Sequence, residues 1–304
     1  MRKFLVLVLL TCAVFNQPLK AQYYFYNDKY YENEVVVELG LSGGLMNSLT
    51  DLGGKKGIGK NFLKDFRWAT ARPSVGFYAM GMYKGMIGVR LEGTFGEVVG
   101  YDSILKDVAS STFGRYDRNL SFKSKINEIQ LAVEFHPIAL FSFEDDPPPY
   151  SPYIIAGVGR YSFDPQAELR GQWYSLKPLS TEGQGFKEYK DRSPYQLNQF
   201  NIAAGLGLRY ELSPLFNARL EFVHRFLSTD YLDDVSTKYI DPALFANYLP
   251  ANLVPIAQQL ANRKGEINPG SKTKIGEQRG DFKDNDAFFT IQLKVGVTLG
   301  RQRR

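Results

Sequence analysis

The chain is almost without cysteine and poor in histidine: 304 residues hold one Cys, Cys12, and two His, His136 and His224. Cys12 sits in an apolar run at the N-terminus. Once that run is cleaved no thiol remains, which excludes a disulfide-stapled domain and a cysteine-liganded zinc site. Long apolar stretches are also missing. After residue 15 nothing approaches the roughly 20 residues that a membrane-spanning helix needs, and the mean hydropathy of −0.27 is too polar for a helical membrane protein. A strong charge of one sign is missing as well. The formal net charge is +5, and Arg2, Lys3 and Lys20 belong to the N-terminal segment. Without them 34 basic residues face 32 acidic ones, so the pI near 9.0 gives no reason to expect nucleic acid as a partner.

What is abundant is aromatic and small. Phe, Trp and Tyr make up 14% of the chain, with 19 Tyr, 22 Phe and 28 Gly. Membrane β-barrels use aromatic girdles and Gly-rich strands; secreted β-sandwiches share part of that signature. The first residues read as a signal peptide spanning residues 1–21. Arg2 and Lys3 form the charged start, Phe4 to Phe15 the apolar run, and Ala21 the small residue before cleavage at Gln22. A short buried helix is the bland alternative, but nothing polar alternates within the run. A lipoprotein anchor on Cys12 is disfavoured because Thr11 precedes it and because it lies within the apolar run. Residues 22–33 form an aromatic periplasmic segment, and 34–304 the barrel with its loops.

Period-two alternation then recurs along the chain. Val35, Val37, Leu39 and Leu41 alternate with Val36, Glu38, Gly40 and Ser42. Similar patterns run over residues 74–83, 87–95, 128–135, 153–162, 200–209, 217–226 and 289–299, which makes about eight strands. On the fifth, Tyr153, Ile155 and Tyr161 read as one face, with Arg160 and Ser162 on the other. Each strand carries an apolar face and a face of Gly, polar or charged residues. In a sandwich the apolar face meets a second sheet; in a barrel it meets lipid while the polar face lines a filled interior. Arg90, Glu92, Glu128, Glu134, Arg209, Arg219, Glu221 and Arg225 all lie mid-strand on the polar face. Both signs are present, so they are expected inside a barrel as a self-neutralising network, although a solvated sandwich face would also carry them.

Connection lengths separate the two folds. Short turns at Lys84-Gly85, Glu144 to Pro149 and Leu212 to Phe216 alternate strictly with long connections over 47–72, 100–118, 164–195 and 227–287. Short periplasmic turns and long external loops are the habit of outer-membrane barrels. The expected fold is all-β: an eight-stranded antiparallel transmembrane barrel in a bacterial outer membrane. Two features resist it. Leu120 and Phe122 are even-numbered whereas Ile129 to Phe135 are odd, so a bulge is expected in the fourth strand. The C-terminus ends in a basic tail through Arg303 and Arg304 rather than on an aromatic residue.

Motifs for chemistry are sparse. His224 lies near the outer end of a strand with Ser228 and Asp230 close by, which would suit a rim hydrolase, but no second activated group is visible and an interfacial His beside Phe222 and Phe226 is the simpler reading. His136 precedes Pro137 and reads as a strand terminator. The Asp-rich stretch Tyr231 to Pro242 offers hard oxygen ligands for calcium, yet its spacing fits no standard loop; Asp side chains bonded to backbone amides are the favoured account. Asp281, Asp284 and Asp286 are read the same way. Lys55, Lys56, Lys60 and Lys64 make the first outer loop basic, suited to lipopolysaccharide head groups but more simply a solvated loop. No cofactor or metal is expected.

Several segments carry a resemblance: Asn119 to Ser124, Pro152 to Gly159, Phe163 to Ala167, Leu176 to Gly185, Thr229 to Tyr239, and Gln278 to Asp286. Together they resemble the PorG-like outer-membrane proteins of the type IX secretion system. The runs Asp-Tyr-Leu-Asp-Asp-Val-Ser and Thr-Glu-Gly-Gln-Gly are the more specific. The resemblance implies an eight-stranded barrel without catalytic residues that ties periplasmic ring components of the secretion machine to the outer membrane. The chain departs from the pattern in its long stretch over 242–277 and in its basic tail. The expected partners are therefore outer-membrane lipid and lipopolysaccharide around the barrel, and ring proteins at its periplasmic end. Glu144, Asp145, Asp146, Pro147, Pro148, Pro149, Pro214, Arg303 and Arg304 are the candidate contacts. The alternatives are a stand-alone surface barrel or adhesin acting through its outer loops, or the rim hydrolase. A diffusion pore is disfavoured, because about eight strands leave an interior just wide enough for side chains to fill.

Overall fold

The computed structural model describes residues 30–52, 68–106, 112–141, 149–271 and 273–303. Ten strands form one sheet: β1 (Tyr30–Leu49), β2 (Arg72–Tyr83), β3 (Ile87–Tyr101), β4 (Ser121–Phe135), β5 (Tyr150–Ser162), β6 (Pro165–Leu169), β7 (Gln172–Ser175), β8 (Asn198–Glu211), β9 (Phe216–Leu227) and β10 (Ala287–Arg303). Eight of them close on themselves. The order β3-β2-β1-β10-β9-β8-β5-β4 returns to its start because β3 also pairs β4, every neighbour antiparallel. Closure leaves no edge in lipid and satisfies the backbone polar groups there. The remaining pair, β6 and β7, is a hairpin standing on β4 beyond the barrel rim.

Alternation explains the two faces. Leu41, Phe77, Leu91, Ile129, Phe200 and Leu293 point outward and are exposed, as are their odd or even companions around the whole barrel. In a water-soluble protein that area of exposed apolar surface would be a liability; around a closed barrel it is the lipid-facing belt. The residues between them point inward. Two strand glycines make room for inward aromatics: a Cβ at Gly40 would stand 2.4 Å from the Tyr78 ring, and one at Gly207 would stand 2.1 Å from the Tyr153 ring.

The short turns gather at one end. Lys84 (φ 48°) and Gly85 (φ 66°) give the left-handed pair that a two-residue hairpin requires, closed by Met86 N–H donating to the Tyr83 carbonyl at 3.0 Å. At the β8–β9 turn, Ser213 Oγ accepts from the Phe216 N–H at 3.0 Å. Residues 142–148 of the β4–β5 connection lie outside the described residues. The long connections gather at the other end and build a cap. It contains β6, β7 and the helices Phe113–Arg118, Phe245–Tyr248, Val254–Ala261 and Lys264–Ile267.

Two expectations about facing are corrected. No bulge interrupts β4: its pairing with β3 runs unbroken from Ile87↔Phe135 to Tyr101↔Ser121, and even residues face inward throughout. Phe122 and Ile126 are apolar and yet inward because the cap covers that end of the barrel. In β5 the face is reversed. Tyr153, Ile155 and Tyr161 are buried inside, whereas Ile154 and Val158 meet lipid and Arg160 points out.

Candidate functional site

The barrel interior is filled by ion pairs that cross it. Arg90 on β3 reaches Glu221 on the opposite wall, β9, at 2.7 Å, and also meets Glu92 at 3.0 Å and Glu134 at 2.7 Å. Arg219 on β9 holds Glu38 on β1 at 2.8 Å and Glu134 on β4 at 2.7 Å. Lys294 on β10 spans to Glu92 at 2.5 Å and Glu221 at 2.8 Å. The phenols join in: Tyr153 donates to Glu221 at 2.7 Å and Tyr78 to Glu38 at 2.5 Å. Arg209 lies beside Glu38 and Glu211, less buried than the rest. Nearer the cap, Arg225 meets Glu128 at 3.1 Å, and Asn201 donates to the same carboxylate at 2.7 Å.

All eight charges expected inside therefore face inward. The alternation missed no strand here, but it undervalued Glu38 and Lys294, which sit on the polar face and complete the network. His136 does end β4 at the inner side. Its ring also turns inward, stacked on Tyr153 at 4.8 Å, with Nε2 3.2 Å from Glu134 and Nδ1 2.9 Å from Ser151. Charges this deep are costly to desolvate and persist only when paired. The chemical consequence is a rigid plug of matched charge rather than a lumen.

The cap is a second site, and the more specific sequence runs converge there. Glu182, from the Thr-Glu-Gly-Gln-Gly run, accepts from the N–H of Ser236 at 3.0 Å and of Thr237 at 2.9 Å, and pairs with Arg279 at 2.8 Å. Asp234 accepts from Thr181 Oγ1 and, at 2.8 Å, from the Tyr195 hydroxyl, while its carbonyl accepts from Arg279 at 2.7 Å. Arg118 clasps Asp102 through Nε at 2.8 Å and Nη2 at 2.9 Å, and donates to the carbonyls of Arg279 at 2.5 Å and Asp51 at 2.7 Å. Tyr161, Phe163, Tyr195 and Tyr231 stack in sequence at 5.6, 6.0 and 4.9 Å and seal the barrel mouth with Phe288 and Leu232. Burial pushes Asp234 up to about 6, with Arg279 opposing, and drives the Tyr195 phenol well above its ordinary range beside that carboxylate.

Asp side chains in this loop do bond backbone amides: Asp233 takes Val235 N–H at 2.9 Å and Asp241 takes Ala243 N–H at 2.9 Å. Among the described residues no group of three or more His, Cys, Asp or Glu is arranged to hold a metal ion. The hydrolase constellation does not assemble. His224 lies edge-on to Phe226 at 4.4 Å, while Ser228 Oγ donates to Gln199 at 3.0 Å and to the Phe200 carbonyl at 3.3 Å.

The periplasmic candidates are only partly placed. Glu144, Asp145, Asp146, Pro147 and Pro148 lie outside the described residues, as do Arg304, residues 1–29 and the lysines of the first outer loop. Pro149 accepts from the Glu211 N–H at 2.8 Å, Pro214 stands in the β8–β9 turn, and the Arg303 backbone pairs with Tyr30, so β1 begins within the aromatic N-terminal segment.

No family model matches the chain, and no curated protein matches it. Among solved structures it is similar to the N-terminal β-barrel domain of OprF from Pseudomonas aeruginosa, at 11% identity and a TM-score of 0.35, over 88% of this chain and 100% of that one. Ail, the attachment invasion locus protein of Yersinia pestis, solved with the heparin analogue sucrose octasulfate, is similar at 10% identity and a TM-score of 0.36, over 88% and 100%. The outer membrane protein OprG from Pseudomonas aeruginosa gives 10% and 0.37, over 88% and 97%. Values this low say nothing of role. Strand closure, the apolar belt and the charged interior stand on their own: the chain is an eight-stranded antiparallel β-barrel of the bacterial outer membrane.

Proposed function

We propose that the protein is a structural, non-enzymatic component of the outer membrane that serves the type IX secretion apparatus by tying periplasmic ring proteins to the membrane. One observation carries this reading. The runs that resemble the PorG-like proteins lie far apart in sequence, yet three of them meet: Arg279 donates to Glu182 and to the Asp234 carbonyl, and Glu182 accepts from the Ser236 N–H. Motif matches arising by chance would have no reason to meet. A cross-braced barrel also suits an anchor, since ion pairs between facing walls hold the strands at fixed spacing.

Ring contacts are assigned to the turn Glu144 to Pro149, to Pro214 and to the tail at Arg303 and Arg304; lipid and lipopolysaccharide surround the belt. Affinity purification of a tagged chain after in-cell crosslinking tests this. Ring proteins should co-purify, and a Gly-Ser replacement of residues 144–149 should reduce their recovery while membrane insertion persists. Recovery of lipopolysaccharide and abundant barrels alone would favour the surface-loop reading, which the size of the cap supports. In that case deleting residues 242–277 removes the phenotype while secretion continues.

A further inference from the structure

Among the described residues, four carboxyl groups gathered under the cap have no ion-pair partner. Asp51 follows β1, Asp230 and Asp233 follow β9, and Asp286 precedes β10. Asp230, Asp233 and Asp286 are buried, and Asp230 Oδ2 is enclosed with no hydrogen-bond partner among the described residues. Two of the four bridge separate loops: Asp233 accepts from the Leu52 N–H at 3.2 Å, and Asp51 from the Asp281 N–H at 2.6 Å. Asp286 accepts from the Leu232 N–H at 2.8 Å.

The groups facing them offer little compensation. Arg118 directs its guanidinium to Asp102 and to two carbonyls, and Arg279 directs its own to Glu182 and two carbonyls. Among the described residues the other ionisable groups that act on the four are acidic or phenolic: Glu182 and Asp281 from the cap and Tyr161 from β5, while Arg192 reaches only as far as Tyr231, next to Asp230. Among the described residues no ion pair reaches any of the four.

We propose that this cluster is a proton-operated latch: with its carboxyls neutral it ties the end of β1 at Asp51 and Leu52 to the fourth outer loop at the barrel mouth, and their ionisation releases the tie. Burial, followed by the neighbouring carboxylates, pushes Asp233 up to about 8 and Asp230 up to about 9, and raises Asp286 and Asp51 in the same direction. A carboxyl whose closed-state value is raised binds its proton better closed than open. Closure is therefore firmest in acid, weakens as pH climbs above the ordinary carboxylate range, and has lost its proton-linked part once pH passes the closed-state values.

The test is hydrogen exchange on the full-length mature protein in detergent with EDTA, from about pH 5 to about pH 9.5, corrected for base-catalysed intrinsic exchange. Protection of residues 229–239 and 278–286 should fall by about tenfold per pH unit for each proton released, then level off near the closed-state values. Protection of β9 should not change. The double variant Asp230→Asn, Asp286→Asn keeps the one hydrogen bond those side chains accept from the backbone, and it should flatten the fall. If the variant does not insert, the wild-type profile still decides. A flat wild-type profile, an equal fall in β9, an unaltered fall in the variant, or recovery of protection at high pH on adding calcium would each overturn the latch; the last would mean that a divalent cation, not protons, neutralises the cluster.

Discussion

The barrel interior and the cap both bury charge, and they balance it differently. Inside the barrel every carboxylate has a cation within reach: Glu38, Glu92, Glu128, Glu134 and Glu221 are met by Arg90, Arg219, Arg225 and Lys294. In the cap two guanidinium groups serve Asp102 and Glu182, and among the described residues four further Asp side chains are left to backbone amides and to the hydroxyls of Thr50 and Ser236. Matched charge gives a wall-to-wall brace that has little reason to respond to mild changes of pH. Unmatched charge gives a closure that does. The interior thus reads as scaffold, and the cap as the part that can change.

The largest effect expected from breaking this contrast is at Arg90. Arg90→Met leaves Glu92, Glu134 and Glu221 with only Lys294 and Arg219 to balance them and should cost about 3 kcal/mol, the lower end of the usual penalty for removing one partner of a buried pair. Urea-induced unfolding in lipid vesicles measures it. A loss confined to a few tenths would mean that the interior is wetter than its burial implies. Replacing Arg90 and Glu221 together by apolar residues of similar volume should recover part of the loss.

Glu182→Gln comes next. The side chain loses its ion pair with Arg279 but can still accept one amide bond, so the cap should weaken by about 1–3 kcal/mol while the barrel melts as before. Protease nicking within 229–286, set against unfolding of the whole barrel, separates the two. The smallest effect lies far from both regions. Gly85→Ala places a Cβ at φ 66° in the β2–β3 turn and should cost about 1 kcal/mol of barrel stability, with no change in cap protection.

Much of this was legible in the sequence. Period-two alternation located all eight barrel strands, and the segregation of short from long connections chose a barrel over a sandwich. The eight interior charges could be named because, once the connection lengths favour a barrel, a charged residue alternating with apolar neighbours, as Arg90 does with Val89 and Leu91, belongs on the inner face. Where the reading failed, it failed for one physical reason. Alternation reports that a strand has two faces, not what covers each. Phe122 and Ile126 look lipid-facing until the cap is seen above them, and Tyr153 and Tyr161 look like belt aromatics although their partners are Glu221 and Phe288. The cap itself was the least legible part. Its bonds join segments distant in sequence, as with Glu182 to the Ser236 amide, 54 residues away, and to the Arg279 guanidinium, 97 residues away, and no local pattern encodes them. The helix Val254–Ala261 had a sign, Pro255 in its first turn.

The central claim is that matched charges fill the barrel from wall to wall and leave it no conduit. Planar-bilayer recording of the purified protein at neutral pH tests it most directly. The account predicts insertion without discrete conductance steps, and the appearance of steps in Arg90→Met, where the brace from β3 to β9 is removed. Stable ohmic steps from the wild-type protein would contradict it.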